Sequence, residues 1–138
     1  ALYSELARQH IAEVRKKISL LRVGTSKSEI RKFRQSLAES NEKNHQRLTK
    51  SNDFFNLSTL RDLIFHVQEH RFSLPKIKNC LDELGLKFCG FENRDTISNY
   101  RGFHGKDADI YDLTQWHQYE ESNQHAFAEM YQFWCQKP

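Results

Sequence analysis

The sequence predicts an α+β chain that is mostly helical, with about five to six helices and two late strands pairing antiparallel. Three observations carry that prediction. Apolar residues recur at three- and four-residue spacing through most of the first 84 positions, the period of helices packed by one face. Leu86 to Glu92 then changes to two-residue alternation. The tail concentrates Phe127, Met130, Tyr131, Phe133 and Trp134. Its residues fit a helix through Phe127, Met130, Tyr131 and Trp134, or a strand in which Tyr131, Phe133 and Cys135 alternate with Met130, Gln132 and Trp134. The density of aromatic residues favours the strand.

Leu6, Ile11, Val14, Ile18 and Leu21 place a first helix over about residues 5–22, with Gly24 as its terminator. Ser26-Lys27-Ser28-Glu29 reads as a capping box opening a second helix, on which Ile30, Phe33 and Leu37 form a narrow stripe. Residues 40–52 are polar, lack an apolar period and read as a loop or hinge. Ser58 is placed to cap a third helix over 59–70, with Leu60, Leu63, Ile64 and Val67 on one face. Ser73, with Pro75 behind it, starts a fourth helix carrying Ile77, Leu81 and Leu84, and Gly85 ends it. In the following strand Leu86, Phe88, Gly90 and Glu92 face one way, and Lys87, Cys89 and Phe91 the other. Helices over 95–102 and 108–121 follow, the second with Ile110, Leu113, Trp116 and His117 on one side.

A length of 138 residues fits one domain with a real core, and 12% aromatic residues argue against a disordered chain. Residues 1–138 read as a single domain: a basic helical part over 1–50 with the polar loop 40–52, then helices and two strands over 53–138. Cys80, Cys89 and Cys135 form no CxxC pair, and an odd count argues against a disulfide framework, which points to a reducing cytoplasm. No long apolar run indicates a membrane span. Residues 1–50 hold 12 Lys/Arg and 5 Asp/Glu, a net of +7, whereas residues 51–138 hold 9 and 13, a net of −4. A basic half marks either a solvated helix pair or a surface for nucleic acid or an acidic protein.

Several segments taken together resemble the C-terminal part of a family of bacterial class I S-adenosylmethionine-dependent methyltransferases, the type often fused to tetratricopeptide repeats. They are Leu2-Tyr3-Ser4-Glu5-Leu6-Ala7-Arg8, the run from Arg61 to His70, Leu86-Lys87-Phe88-Cys89-Gly90-Phe91-Glu92 and Met130-Tyr131-Gln132-Phe133-Trp134. The resemblance covers nearly the whole chain and rests on the order and spacing of these pieces. It implies a Rossmann-like, mostly parallel sheet in which residues 1–4 are the end of the fifth strand, residues 86–92 the sixth and residues 130–136 the seventh. The last two would close the sheet as an antiparallel hairpin. The helices between strands five and six would be an insertion near the substrate. Tyr3, Glu5 and Arg8 would then stand at a strand's carboxyl end, facing the methyl-transfer crevice. Glu5 and Arg8, spaced i and i+3, also fit a surface ion pair.

The same comparison implies what the chain omits. Gly24, Gly85, Gly90, Gly102 and Gly105 are scattered and form no GxGxxG turn. S-adenosylmethionine is therefore expected to be held by an N-terminal cofactor domain of a parent protein, and no cofactor is expected on this segment alone. An unspecified methyl acceptor is the implied second partner.

His66-x-x-Glu69-His70 matches the inverted zinc-peptidase pattern HxxEH. On a helix His66 and His70 lie one turn apart and can share a zinc ion, with Glu69 near its bound water. Glu120 and Glu121 are the candidates for a further ligand. His66, Glu69 and His70 equally suit the substrate side of a methyltransferase crevice, or a structural hydrogen-bond set. Trp116 and His117 fit either a pocket floor or the core. The remaining alternative is a non-catalytic module that binds nucleic acid or an acidic partner through Arg15, Lys16, Lys17, Arg22, Arg31, Lys32 and Arg34.

Overall fold

The computed structural model describes residues 1–65 and 68–138. These are α+β and mostly helical, with seven α-helices among the described residues and a small antiparallel strand pair near the C-terminus. They form two compact units, one of residues 9–69 and one that joins residues 1–8 to 70–138. No helix among the described residues is long and apolar enough to cross a membrane.

The 9–69 unit contains α1 (Gln9–Leu21), α2 (Lys27–Ala38), α3 (Lys43–Thr49), a short 3-10 turn (Asn52–Phe54) and α4 (Leu57–Ile64). The i, i+3, i+4 spacing turns Ile11, Val14 and Ile18 inward against Phe33, Leu37, Leu48, Leu60 and Ile64. The capping box of α2 is present: the Glu29 N–H donates to Ser26 Oγ at 3.2 Å, and the Ser26 N–H donates to the Glu29 carboxylate at 3.4 Å. Gly24 does not end α1. Arg22, at φ 52°, turns the chain, and a Cβ at Gly24 would strike the Glu29 carboxylate that closes the box.

Residues 40–52 are not a loop. Seven of them form α3, which supplies the helix beyond the expected five to six. Its inward positions are His45 and Leu48, and His45 is buried because Ser40 Oγ lies 2.7 Å from Nδ1. A histidine at an apolar position hid the period. The third predicted helix also moves: Asn56, not Ser58, caps α4, accepting from the N–H groups of Ser58 and Thr59. It stops at Ile64 rather than continuing to residue 70. The Leu63 carbonyl, which a longer helix would use, instead accepts from Arg15 Nε and Nη2 at 3.0 and 2.6 Å.

The other unit contains β1 (Tyr3–Ser4), β2 (Arg71–Phe72), α5 (Leu74–Glu83), β3 (Lys87–Phe91), α6 (Arg94–His104), α7 (Leu113–Ser122) and β4 (Phe133–Gln136). β1 pairs in parallel with β2, a strand the sequence did not announce, and β3 pairs antiparallel with β4. Leu2 and Tyr131 exchange backbone hydrogen bonds of 3.0 and 2.7 Å, so the chain entering β4 runs antiparallel to the start of β1. The strict alternation expected in β3 fails at Cys89. Register shifts between Phe88 and Gly90, where Gly90 adopts φ +108°, and this bulge brings Phe91 to the same core as Phe88.

That core is aromatic. Tyr100 stacks on Trp116 with ring centroids 3.9 Å apart, and Phe91 meets Trp116 at 4.8 Å and Phe127 at 4.7 Å. Trp116 is therefore a core residue, and its indole N–H donates to the Ile110 carbonyl at 2.9 Å. Residues 108–112 lie outside α7, whose cap is Asp112. Cys135, expected to be buried, is exposed, while Cys80 and Cys89 are half-buried, and all three are free thiols.

Candidate functional site

The site begins at Ser4, where β1 ends. In parallel register Tyr3 lies beside Arg71 and Ser4 beside Phe72, and the Glu5 N–H continues the pairing by donating to the Phe72 carbonyl at 2.9 Å. The chain then turns before α1 instead of starting the helix at residue 5. Ser4 anchors that turn twice: Oγ accepts the Ala7 N–H and the carbonyl accepts the Arg8 N–H, each at 3.1 Å. Serine suits this place because a short hydroxyl reaches its own following backbone.

The Ser4 hydroxyl has a second role. It donates to Glu120 Oε1 at 2.5 Å, across 116 residues of sequence, and Tyr131 Oη lies 2.7 and 2.8 Å from the two oxygens of the same carboxyl. All three residues are fully buried. Burial pushes the Glu120 carboxyl above its ordinary range, against the hydrogen bonds from Ser4 and Tyr131 that favour its ionised form. Burial, and then the neighbouring Glu120 charge, raise the Tyr131 phenol well above its usual value. The cluster fixes the end of β1 to α7 and to the residues entering β4. Its signal in the sequence was a glutamate at i+7 on the stripe of Leu113 and Trp116, where an apolar residue is the norm. Glu120 is thus part of a hydroxyl-bound buried set rather than the zinc ligand considered for it.

Two of the candidate residues come together at this strand end. The Arg8 guanidinium lies 4.4 Å from the centroid of the Tyr3 ring, a cation–π contact that fixes a positive charge there, and Glu5 is exposed in the turn between them. His70 immediately precedes β2 and is exposed, so it sits at the opposite, amino end of the paired strands. Glu69 belongs to the helical unit, where Arg15 Nη1 donates to it at 2.7 Å. His66 lies outside the described residues.

The helix expected over 59–70 ends at Ile64, and residues 68–70 are not helical. Among the described residues no group of three His, Cys, Asp or Glu side chains is placed to hold a metal ion. The chain matches no protein-family model, no curated protein and no solved structure.

Proposed function

We propose that this chain is the substrate-side, C-terminal segment of a class I S-adenosylmethionine-dependent methyltransferase-like protein, completing its Rossmann-like sheet and shaping the methyl-acceptor pocket. The observation that carries this reading is the neighbour order around β1. A parallel partner lies on one side and the Leu2–Tyr131 antiparallel bridge on the other, with the β3–β4 antiparallel pair continuing from that bridge. The antiparallel side is the one a closing hairpin requires, whereas β2 comes from the stretch expected to be a helical insertion.

The residues present do not fit the cofactor itself. The turns from β1, β2 and β3 into α1, α5 and α6 contain no glycine, whereas a dinucleotide-type cradle needs glycine for close backbone approach to its ligand. S-adenosylmethionine would supply the methyl group from elsewhere in the parent. This segment's part is positional. Ser4, Glu120 and Tyr131 hold the strand end rigid, and the Tyr3 ring with the Arg8 cation against it would orient an acceptor, with Glu5 exposed in the turn that follows.

The first test is the intact mass of the untagged protein from its source cell. A mass well above 16.5 kDa supports the proposal, whereas a mass of 16.5 kDa overturns it in favour of a non-catalytic binding module. In the parent, alanine at Tyr3 or Arg8 should lower turnover by about tenfold or more and leave cofactor affinity nearly unchanged. Unchanged turnover in both variants removes these residues from the acceptor site.

A further inference from the structure

Away from β1, one face of α6 and the segment after it enclose a groove of about 630 Å3. Its lining includes Arg94, Ile97, Arg101, Gly102, Lys106 and Ile110. We infer that this groove binds a small amphipathic anion, a molecule with a carboxylate or phosphate on an apolar body.

Arg94, Ile97, Arg101 and Gly102 recur at i, i+3, i+7 and i+8, so one helical face carries all four, and the two arginines stand about 10 Å apart along the axis. Ile97 and Ile110 are half-buried, each packed by one side on the aromatic core, and the remaining side forms an apolar floor. Arg94, Arg101 and Lys106 are exposed around it.

The acidic residues of the same stretch do not line the groove. Asp109 accepts the Tyr111 N–H at 2.9 Å, Asp112 caps α7, and Asp95 lies in the first turn of α6, where a negative charge favours the helix. Asp107 is also absent from the lining. Of the charged residues in this stretch, only cations line the groove. A concave apolar floor inside a cationic rim is complementary to an anionic head on an apolar body.

Size and shape select among occupants. The volume falls within the roughly 300–1,000 Å3 of ordinary small-molecule sites. A protein partner of usual size engages about 20–30 residues on each side, far more than this lining offers. A membrane surface is contacted by apolar side chains that project into it, whereas Ile97 and Ile110 are half-buried, each packed by one side against the core.

Gly102 supplies the sharpest test. A Cβ there would meet no atom within 4 Å, so a side chain can start from this lining position without a backbone clash. The experiment is a calorimetric titration of the full 138-residue chain with decanoate, alongside 1-decanol and acetate. Decanoate should bind saturably, and at least about tenfold more tightly than either half-molecule, because it satisfies both rim and floor. Gly102→Leu should abolish binding. The triple variant Arg94→Gln, Arg101→Gln, Lys106→Gln should weaken it by about tenfold while retaining far-UV circular dichroism. Equal decanoate affinity in the wild type and either variant overturns the inference, as does decanol binding as tightly as decanoate. Flotation with phosphatidylglycerol vesicles distinguishes the lipid source. Co-flotation that the triple variant loses, without decanoate binding, replaces the small-molecule reading with a membrane surface.

Discussion

The two units bury their interiors with different chemistry. The 9–69 unit uses Ile, Val and Leu from four short helices, with Phe33 and Phe54 among them and the Arg15 fork as reinforcement. The other unit uses rings: Phe88, Phe91, Tyr100, Trp116, Tyr119, Phe127 and Tyr131 form a connected cluster. Aliphatic side chains require only volume and spacing. Tyr and Trp also bring polar tips, and each tip needs a partner once buried. Here the Trp116 N–H reaches Ile110, Tyr100 Oη lies 2.8 Å from the Asp109 carbonyl, and Tyr131 Oη reaches Glu120. The aromatic unit is therefore specified by hydrogen-bond geometry as well as by packing.

The largest effect that tests this contrast is Trp116→Ala. It removes a fully buried ring stacked on Tyr100 and in edge contact with Phe91, and should cost about 4 kcal/mol. Leu48→Ala, at the corresponding depth in the helical unit, should cost about 3 kcal/mol. Urea unfolding of both variants, followed by tryptophan-independent circular dichroism, measures the pair. A Trp116→Ala cost below that of Leu48→Ala would break the comparison.

The next effect lies at the polar cluster. Glu120→Ala leaves the hydroxyls of Ser4 and Tyr131 without their acceptor in a buried place and should cost about 3 kcal/mol. Adding Tyr131→Phe to Glu120→Leu should recover part of that loss, since one orphaned hydroxyl disappears with its partner. The pH dependence has a definite sign. The folded Glu120 carboxyl titrates above its unfolded value near 4.5, so the folded state holds the proton more tightly. Its contribution is full below that value and is lost as pH rises through the raised folded one. Glu120→Gln should flatten this part of the stability profile. An unchanged slope would show that Glu120 is not the group responsible.

What could be read from the sequence divides along the same line. The Ser26–Glu29 capping box, the Ser73–Pro75 start of α5 and the Gly85 stop are local patterns, and they appear where the residues place them. The mostly helical character and the late antiparallel pair were also legible, because period and aromatic density are carried by consecutive residues. Features that depend on distant partners were not. α3 was hidden for a local reason, since the buried histidine at its inward position 45, held by Ser40 and Glu42, broke the apolar stripe. The end of α4 was hidden because Arg15, 48 residues earlier, takes the Leu63 carbonyl. At the candidate site, Tyr3, Glu5 and Arg8 were singled out through the resemblance, whereas Glu120 was seen only as a spare carboxylate. Its partners lie 116 and 11 residues away.

The smallest of these effects sharpens the account of the helical unit. Arg15 joins α1 to the residues beyond α4 by four hydrogen bonds, two to the Leu63 carbonyl and two to the Glu69 carboxylate. The side chains are 16% and 4% exposed, so the pair is too sheltered for the few tenths of a kcal/mol typical of surface ion pairs. It is not fully buried either, which keeps it below the roughly 3–5 kcal/mol lost when one partner of an interior pair is removed. Arg15→Ala should therefore cost about 2 kcal/mol. Arg15→Lys should recover little of it, because a single ammonium cannot serve a carbonyl and a carboxylate with the geometry of a planar fork. Urea unfolding at low and high salt separates the two contributions. The carboxylate half should weaken with salt, while the half directed at the Leu63 carbonyl should persist. Full rescue by lysine would mean that charge alone acts here, and the helical unit would then rest on aliphatic packing without a geometric clasp.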